Sequence, residues 1–192
     1  MEVEFIEQGH IYLVDGIITP SVSEILRFIF PDKYKNVPPR VLEEKALFGT
    51  HIHEAIEAYE KGDEPILTDM ERVTFSQYLK VKEEHQIKPL EMEEIVHYED
   101  RYAGRLDMIA FVDGEVSMID FKTTSKLDIE SLEWQLGMYQ LAKEKKYKKC
   151  YCLWLPKKDL GQLVEIDPKN KDDILEVLDR YEKQKGKIVC YF

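Results

Sequence analysis

Asp107, Asp120 and Lys122 are charged residues in two segments that are otherwise rich in leucine, methionine, isoleucine, phenylalanine and valine. The two segments are separated by Asp113-Gly114, a pair typical of a two-residue hairpin turn. With that turn, opposed residues have position numbers that sum to 227, so Asp107 faces Asp120. Because directly opposed like charges destabilise an antiparallel pair of strands, the two carboxylates require a chemical explanation.

Two facing carboxylates can share a divalent cation, and their hard oxygen ligands suit Mg²⁺ or Mn²⁺. They can also share a proton, or form an ionic cluster with Arg105 and Lys122, which the alternation of a strand places on the same face. Spacing alone leaves the metal site and the ionic cluster open. A lysine beside the carboxylates can position a water and stabilise charge on a phosphate. The pattern therefore predicts metal-assisted phosphodiester hydrolysis.

Hydrophobic periodicity predicts an α/β fold in which a central mixed β-sheet is flanked by α-helices. Ser21 is a predicted helix cap, with Glu24 completing a capping box, and Gly49-Thr50 interrupts the second helix. The hairpin strands are apolar on both faces, which indicates a central position in the sheet. The predicted strands are 3–14, 91–98, 102–112, 115–122, 149–155 and 161–166, and the predicted helices after the first are 41–59, 70–85, 129–146 and 171–185.

A chain of 192 residues suits one domain, with an N-terminal hairpin and helices (1–90), a core (91–167) and a C-terminal helix (168–192). The sequence contains neither an apolar run near the roughly 20 residues of a membrane span nor a signal peptide, so a cytoplasmic protein without membrane contact is expected. Its three cysteines lack C-x-x-C spacing, which argues against disulfides and structural zinc. Cys150 and Cys152 are predicted to be packing residues of a strand.

The formal net charge of −11 argues against nucleic-acid binding through one broad basic surface. If the protein binds DNA, the contact must be local, through small basic clusters or bound cations. A solvated helix end is the alternative interpretation of the first such cluster. The candidate residues are Lys143, Lys145, Lys146, Lys148 and Lys149, with Lys157 and Lys158 one strand away.

The sequence "GRLD" followed by "IDFK" resembles the core motif of the PD-(D/E)xK nucleases. Asp107, Asp120 and Lys122 match the Asp, Asp/Glu and Lys of that motif. Further matches are to the RecB-like and phage exonuclease group. "WQLGMYQ" is similar to its Q-x-x-x-Y motif, "GTHIHEAIEAY" to its G-T-x-x-H helix, and "HIYLVDGIITPSVSEIL" to the N-terminal region of its phage exonucleases.

The resemblance implies a restriction-endonuclease-like fold that binds one or two Mg²⁺ or Mn²⁺ ions. The implied metal ligands are His53, Asp107, Asp120 and the backbone carbonyl of Phe121, and Glu94 is a further candidate. Some members hold an iron–sulfur cluster through a cysteine before the histidine and three near the C-terminus. This chain has no cysteine before Cys150, so no cluster is predicted.

Three further residues are expected to bind substrate. The resemblance implies that Gln135 and Tyr139, which share a helix face at i and i+4, line the cleft, although a purely structural role for the pair is also open. Arg105 is expected either to bind a phosphate or to neutralise Asp107.

His51 and His53 compete for the role of metal ligand, because the two point in opposite directions on a helix. Leu42, Ala46, Gly49, His53 and Ile56 form one stripe, which predicts that His53 faces inward. Glu93 and Glu94 compete similarly, because neighbouring residues of a strand point to opposite faces.

The expected function is that of a metal-dependent DNA exonuclease in recombination, repair or phage DNA processing, within a bacterial or phage-infected cell. The first alternative is a structure-specific or restriction-type endonuclease on the same core. The second is a non-catalytic DNA-binding protein whose acidic cluster is structural. A single-strand annealing protein or a helicase is the expected protein partner, and DNA ends are the expected substrate.

Overall fold

A computed structural model describes residues 2–186 of the chain. The last residues of the predicted C-terminal unit, including Cys190, lie outside the described residues. The strands are β1 (Val3–Ile6), β2 (Ile11–Val14), β3 (Ile17–Thr19), β4 (Lys88–Tyr98), β5 (Tyr102–Val112), β6 (Glu115–Lys122), β7 (Lys149–Trp154) and β8 (Gln162–Ile166). The helices are α1 (Val22–Ile29), α2 (Pro39–Glu60), α3 (Asp69–Glu84), α4 (Ile129–Ala142) and α5 (Lys171–Gly186).

The main sheet has five strands in the order β4-β5-β6-β7-β8, with β6 at its centre. Neighbouring strands are antiparallel except β6 and β7, which are parallel and are connected through α4. A parallel pair requires a crossover of this kind, because a short turn cannot return the chain to the same end of the sheet. The predicted α/β fold with a mixed sheet between helices is therefore confirmed.

The hairpin of β5 and β6 has the predicted register. Its pairs run from Val112 and Glu115 to Met108 and Ile119, and every pair sums to 227. Asp113 and Gly114 have φ angles of 50° and 87°, as a type I′ turn requires.

Helices cover both faces of the main sheet and bury its two apolar surfaces. On one face, α1, α4 and α5 pack against residues such as Met118 of β6. On the other face, α2 and α3 pack against Ile119 and Phe121 of the same strand. The hairpin is thus held rigidly at the centre of the domain, where its apolar residues leave little room for movement. Cys150 and Cys152 of β7 are buried, as expected of packing residues.

The N-terminal segment differs from the single strand predicted over residues 3–14. It forms a separate three-stranded sheet, β1-β2-β3, because Gly9 and His10 adopt positive φ angles of 93° and 54° and turn the chain back. This small sheet joins the rest of the protein where the Ala103 N–H donates to the Pro20 carbonyl at 2.9 Å.

Three local predictions about helices also need correction. Ser21 caps α1 by accepting the Glu24 N–H at 3.1 Å, but the Glu24 carboxylate contacts Tyr181 and Lys185 instead of completing a capping box. Helix α2 continues through Gly49-Thr50. Helix α4 ends at Ala142, four residues early, since Glu144 turns the chain with a φ of 49°. Within residues 2–186, no helix has both the length and the apolar character needed to cross a membrane.

Candidate active site

The charged residues of the hairpin lie where β5 and β6 separate. Met108 and Ile119 are the last residues paired across the two strands, so Asp107 and Asp120 occupy the next position in register. Beyond this pair, Asp107 Oδ2 accepts a hydrogen bond from the Phe121 N–H at 2.6 Å. If the two strands had stayed paired, a backbone carbonyl of β5 would have accepted this hydrogen bond. The carboxylate of Asp107 accepts it instead.

The backbone of Phe121 points toward the gap between the two strands. The N–H and C=O of one strand residue are directed to the same side, and the N–H of Phe121 is directed to Asp107 of β5. On its other side, β6 remains paired with β7, since the Leu155 N–H donates to the Lys122 carbonyl at 2.7 Å. The Phe121 carbonyl, predicted as a metal ligand, is thus turned to the Asp107 side of β6.

Asp120 is fully buried and lacks hydrogen-bond partners. Its side chain has 0% relative exposure, and neither oxygen has a partner of adequate hydrogen-bond geometry among the residues described. Lys122 Nζ lies 2.5 Å from Oδ2 and forms an ion pair with it. Burial chiefly, with the charge of Asp107, raises the pKa of Asp120 to about 6, although Lys122 opposes this shift.

His53 extends from α2 to the same cluster. Its Nδ1 lies 3.4 Å from Asp107 Oδ1, and its ring packs edge-on to Phe121 with centroids 5.3 Å apart. The side chain of His53 is 24% exposed, whereas that of His51 is 57% exposed and lies 3.1 Å from Glu71 Oε1. The helical stripe thus identified the histidine that lies beside Asp107.

Glu93, rather than Glu94, joins the cluster, which corrects the sequence-based candidate. Glu93 Oε1 lies 3.9 Å from His53 Nδ1, and His53, Glu93 and Asp107 could together hold a metal ion. Glu94 instead accepts a hydrogen bond from Lys143 Nζ at 2.7 Å.

A change of phase in two neighbouring strands explains this difference. Glu93 has a φ of 50°, so Met92 packs with the core on the α2 and α3 side although Val96, also even-numbered, packs on the opposite side. In β5, Leu106 and Met108 divide between the two faces in the same way. Simple alternation therefore fails at this point.

Arg105 pairs with Glu93 and not with Asp107. Its Nε lies 2.8 Å from Glu93 Oε2, and its guanidinium lies over the ring of Phe5 in the N-terminal sheet at 5.5 Å. Because the alternation of side chains is interrupted at Asp107, Arg105 does not share a face with Asp107 as a regular strand would predict. Of the two expected roles, neutralisation of Asp107 is therefore wrong.

Gln135 and Tyr139 of α4 form one side of the cluster. The Gln135 amide donates to the Tyr139 hydroxyl at 3.3 Å. Burial, followed by the charges of Asp107 and Asp120, raises the pKa of Tyr139 well above its usual value. Gly104 of β5 permits this approach, since a Cβ there would lie 2.9 Å from Tyr139 Cε1.

Buried charges determine the electrostatics of the site. Burial opposes ionisation of Asp107, but His53, Lys122 and the Phe121 N–H together hold its pKa below the usual range. Burial also opposes the charge of Lys122, yet the two aspartates raise its pKa. For Glu93, burial and the charge of Asp107 raise the pKa to about 7.

The donor set fits a divalent cation. In the described part of the chain, Oδ1 of Asp120 and Oε1 of Glu93 are buried without hydrogen-bond partners, and Oδ2 of Asp120 has only the Lys122 ammonium beside it. Such orphaned atoms are rare in native proteins. Carboxylate, carbonyl and imidazole donors suit Mg²⁺ or Mn²⁺. A cation bound by His53, Glu93 and Asp107 would supply a partner for Glu93 Oε1.

Comparison with known proteins places these residues in a family context. The model of the PD-(D/E)XK nuclease superfamily matches residues 29–187, which include every residue of the cluster described above. A comparison with curated protein sequences gave no match. Among solved structures, the crystal structure of SSO0001 is similar, with 17% identity, a TM-score of 0.46, and coverage of 84% of this chain and 73% of that chain.

Proposed function

The chain belongs to the PD-(D/E)XK nuclease superfamily, and from that premise we propose that it is a DNA exonuclease that requires Mg²⁺ or Mn²⁺. The observation that carries this proposal is the group of His53, Glu93 and Asp107, whose potential ligand atoms lie within 4.8 Å of one another, together with the buried Asp120 carboxylate that pairs with Lys122. Lys122 lies beside the Asp120 carboxylate, where its ammonium would stabilise negative charge on a phosphate.

The proposed metal ligands are His53, Asp107, Asp120 and the carbonyl of Phe121, and Glu93 replaces Glu94 as the additional candidate. One ion would lie among these groups. A second ion could be bound as well, because Asp120 and Glu93 each have a buried oxygen without a hydrogen-bond partner among the described residues. A divalent cation there would supply positive charge to the scissile phosphate and lower the pKa of a water.

The remaining residues would position the reactants. Lys122, held as an ammonium by its ion pair with Asp120, would orient the attacking water and stabilise the charge that develops on the phosphate. Gln135 and Tyr139, which are hydrogen-bonded to each other, would hold the DNA strand. Arg105 would leave or share its ion pair with Glu93 to contact a phosphate.

The sequence motifs support exonuclease action over endonuclease action. The Q-x-x-x-Y motif at Gln135 and Tyr139 and the G-T-x-x-H motif at His53 resemble those of RecB-like nucleases, and the N-terminal segment resembles phage exonucleases. We therefore propose DNA ends as the substrate, in recombination, repair or phage DNA processing. A single-strand annealing protein or a helicase would be a suitable partner for an enzyme that acts on ends.

The experiment that tests this proposal compares linear and circular DNA. We expect the purified protein with Mn²⁺ to degrade end-labelled linear DNA, single-stranded or duplex, and to leave circular DNA of both kinds intact. EDTA should abolish the degradation. The label released first from 5′-labelled or 3′-labelled strands will give the polarity.

Two outcomes would favour the alternatives. Cleavage of the circular substrates would identify an endonuclease on the same core. Binding of DNA without any cleavage, unchanged in Asp120→Ala, would identify a non-catalytic protein with a structural acidic cluster.

A further inference from the structure

Lysines at the two ends of strands β6 and β7 differ in whether they form ion pairs with carboxylates. The first cluster predicted from the sequence, residues 143–149, is partly neutralised, since three of its five lysines form ion pairs. Lys143 pairs with Glu91 and Glu94, Lys148 with Glu115, and Lys149 with Glu165. In contrast, Lys126, Lys157 and Lys158 form no ion pair within residues 2–186, although Asp159 follows them in sequence.

The topology places these two groups at opposite ends of β6 and β7. The two strands are parallel, with Ser117 beside Lys149 and Lys122 beside Trp154. Five residues of strand separate Ser117 from Lys122, a distance of roughly 17 Å. The cluster at 143–149 therefore lies at the edge remote from Lys122, whereas the loops that follow Lys122 and Trp154 leave from the edge of the active site.

The three unpaired lysines of these loops form what we call the rim, consisting of Lys126, Lys157 and Lys158. Two contacts hold the rim to the active site. The Trp154 indole N–H donates to the Thr124 carbonyl at 2.7 Å, which ties the two loops together. The Lys157 ammonium lies 3.5 Å from the centroid of the Phe48 ring in α2, the helix that carries His53.

A third contact joins α2 to the loop after β6. A Cβ on Gly49 would lie 3.4 Å from the Thr123 hydroxyl oxygen, so this part of α2 lies close to the loop after β6. The rim is thus built on the same elements that carry His53 and Lys122. The backbone that carries the rim is tied to the active site by these contacts, and Lys157 is held against Phe48.

We propose that Lys126, Lys157 and Lys158 bind the DNA phosphates next to the scissile one, so that the strand leaves the site over the ends of β6 and β7. This inference rests on the proposed function, because it gives the path of the DNA at the same site. A molecule of net charge −11 repels DNA at long range. Unpaired lysines at the mouth of the site would add local attraction beside the reacting phosphate, and ordered phosphate contacts give register to the strand.

The test measures DNA affinity in an Asp120→Asn background, which prevents cleavage. The rim variant Lys157→Gln/Lys158→Gln is compared with Lys145→Gln/Lys146→Gln, a pair from the remote edge that also lacks ion pairs in the described residues. Fluorescence anisotropy with a labelled duplex at several salt concentrations gives Kd and its salt dependence. Each phosphate contact that is lost lowers the slope of log K against log salt by about 0.9.

We expect the rim variant to lose about two from this slope and Lys126→Gln about one, with Kd weakened roughly tenfold at moderate salt. The remote-edge variant should bind like its parent. Equal binding by the rim variant and its parent, a larger loss in the remote-edge variant, or an absence of DNA binding in the Asp120→Asn protein would each overturn the inference.

A second readout separates this inference from the proposed function. In the otherwise wild-type enzyme, the rim variant should raise KM and leave kcat nearly unchanged, because the lysines hold the strand beyond the reacting phosphate. If the wild-type protein binds DNA through the rim but never cleaves it, the proposed function fails and the binding surface stands. If it cleaves DNA and the rim variant cleaves with unchanged KM, the binding surface fails and the nuclease stands.

Discussion

Asp120 is the residue on which the chemistry of the site depends most. A carboxylate that is fully buried with no hydrogen bond to either oxygen, in the residues that the structure describes, carries a large desolvation cost. The ion pair with Lys122 offsets part of that cost, and Asp107 adds to it by like charge. A bound cation would offset the rest, so occupancy and stability of the site should be linked.

Asp120→Asn should therefore uncouple stability from metal. In EDTA the variant should melt at or below the temperature of the wild type, because relief of the repulsion from Asp107 is offset by loss of the buried ion pair with Lys122. Mn²⁺ at about a hundred times its Kd should stabilise the wild type by about 2.7 kcal/mol and the variant by much less. Differential scanning fluorimetry measures both effects, and an equal Mn²⁺ shift in the two proteins would contradict this assignment.

His53 and His51 provide a matched pair on one helix. His53→Ala should weaken Mn²⁺ binding in isothermal titration calorimetry by roughly tenfold or more, because its ring lies 3.4 Å from Asp107. His51→Ala should leave binding unchanged, since its ring lies beside Glu71. The reverse order of effects would show that His51, and not His53, faces the metal site.

Glu93 and Glu94 provide a second matched pair. Glu93→Gln should lower Mn²⁺ affinity, because the carboxylate lies with His53 and Asp107. Glu94→Gln should leave metal affinity unchanged, because that side chain pairs with Lys143 at the strand surface. The same titration measures both variants, and a metal effect confined to Glu94→Gln would refute the geometry of β4.

The sequence was sufficient to predict most of the residues gathered in the cluster but not Glu93. Asp107, Asp120 and Lys122 followed from hairpin register, and His53 followed from helical periodicity. Glu93 did not, because its positive φ breaks the alternation that a strand argument assumes. The signal that could have found it is its place opposite Asp107, between the pairs of Met92 and Glu94 with β5.

At the level of elements, close packing of α4 brings Gln135 and Tyr139 to the hairpin. Gly137 lies on the same helix, and a Cβ there would come within 2.6 Å of the Lys169 carbonyl oxygen. A backbone atom cannot move away as a flexible side chain can. The turn before α5 therefore holds α4 at a fixed distance from the sheet.

Gly137→Ala should destabilise the protein although alanine is the better helix former. The helix gain is about 1 kcal/mol, whereas overpacking costs about 1–3 kcal/mol, so we expect a net loss. Gly49→Ala is the control, because its Cβ would meet only the Thr123 hydroxyl at 3.4 Å and should raise stability by up to about 1 kcal/mol. Urea denaturation gives both values. Stabilisation by Gly137→Ala would show that the turn yields more easily than its backbone contact implies.

Elements were predictable to different degrees for physical reasons. Strands β5 and β6 have the predicted bounds because their apolar residues and the Asp113-Gly114 turn agree. Strands β1 and β2 were merged into one predicted strand, since only the conformation of Gly9 and His10 divides them, and β3 lies where no strand was predicted. The early end of α4 depends on Glu144, whose positive φ no helix propensity would indicate.

For the whole molecule, the distribution of charge matters more than its sum. The net charge of −11 suggests poor affinity for DNA, yet several lysines remote from the site, such as Lys143 and Lys149, are paired with carboxylates, whereas the rim lysines are not, within the described residues. The sequence could not predict these ion pairs, because they depend on which strand ends lie side by side in the folded sheet. The fold thereby leaves three lysines that are unpaired among the described residues at the mouth of the site, where they can attract a polyanion.

The measurement that tests the central claim most directly is cleavage of end-labelled linear DNA by the wild type and by Asp120→Asn, with Mn²⁺ and with EDTA. We expect Mn²⁺-dependent release of nucleotides by the wild type, no release in EDTA, and a loss of at least about a hundredfold in the variant. Cleavage that persists in EDTA, or an Asp120→Asn protein as active as the wild type, would contradict the assignment of this buried acidic cluster as the nuclease centre.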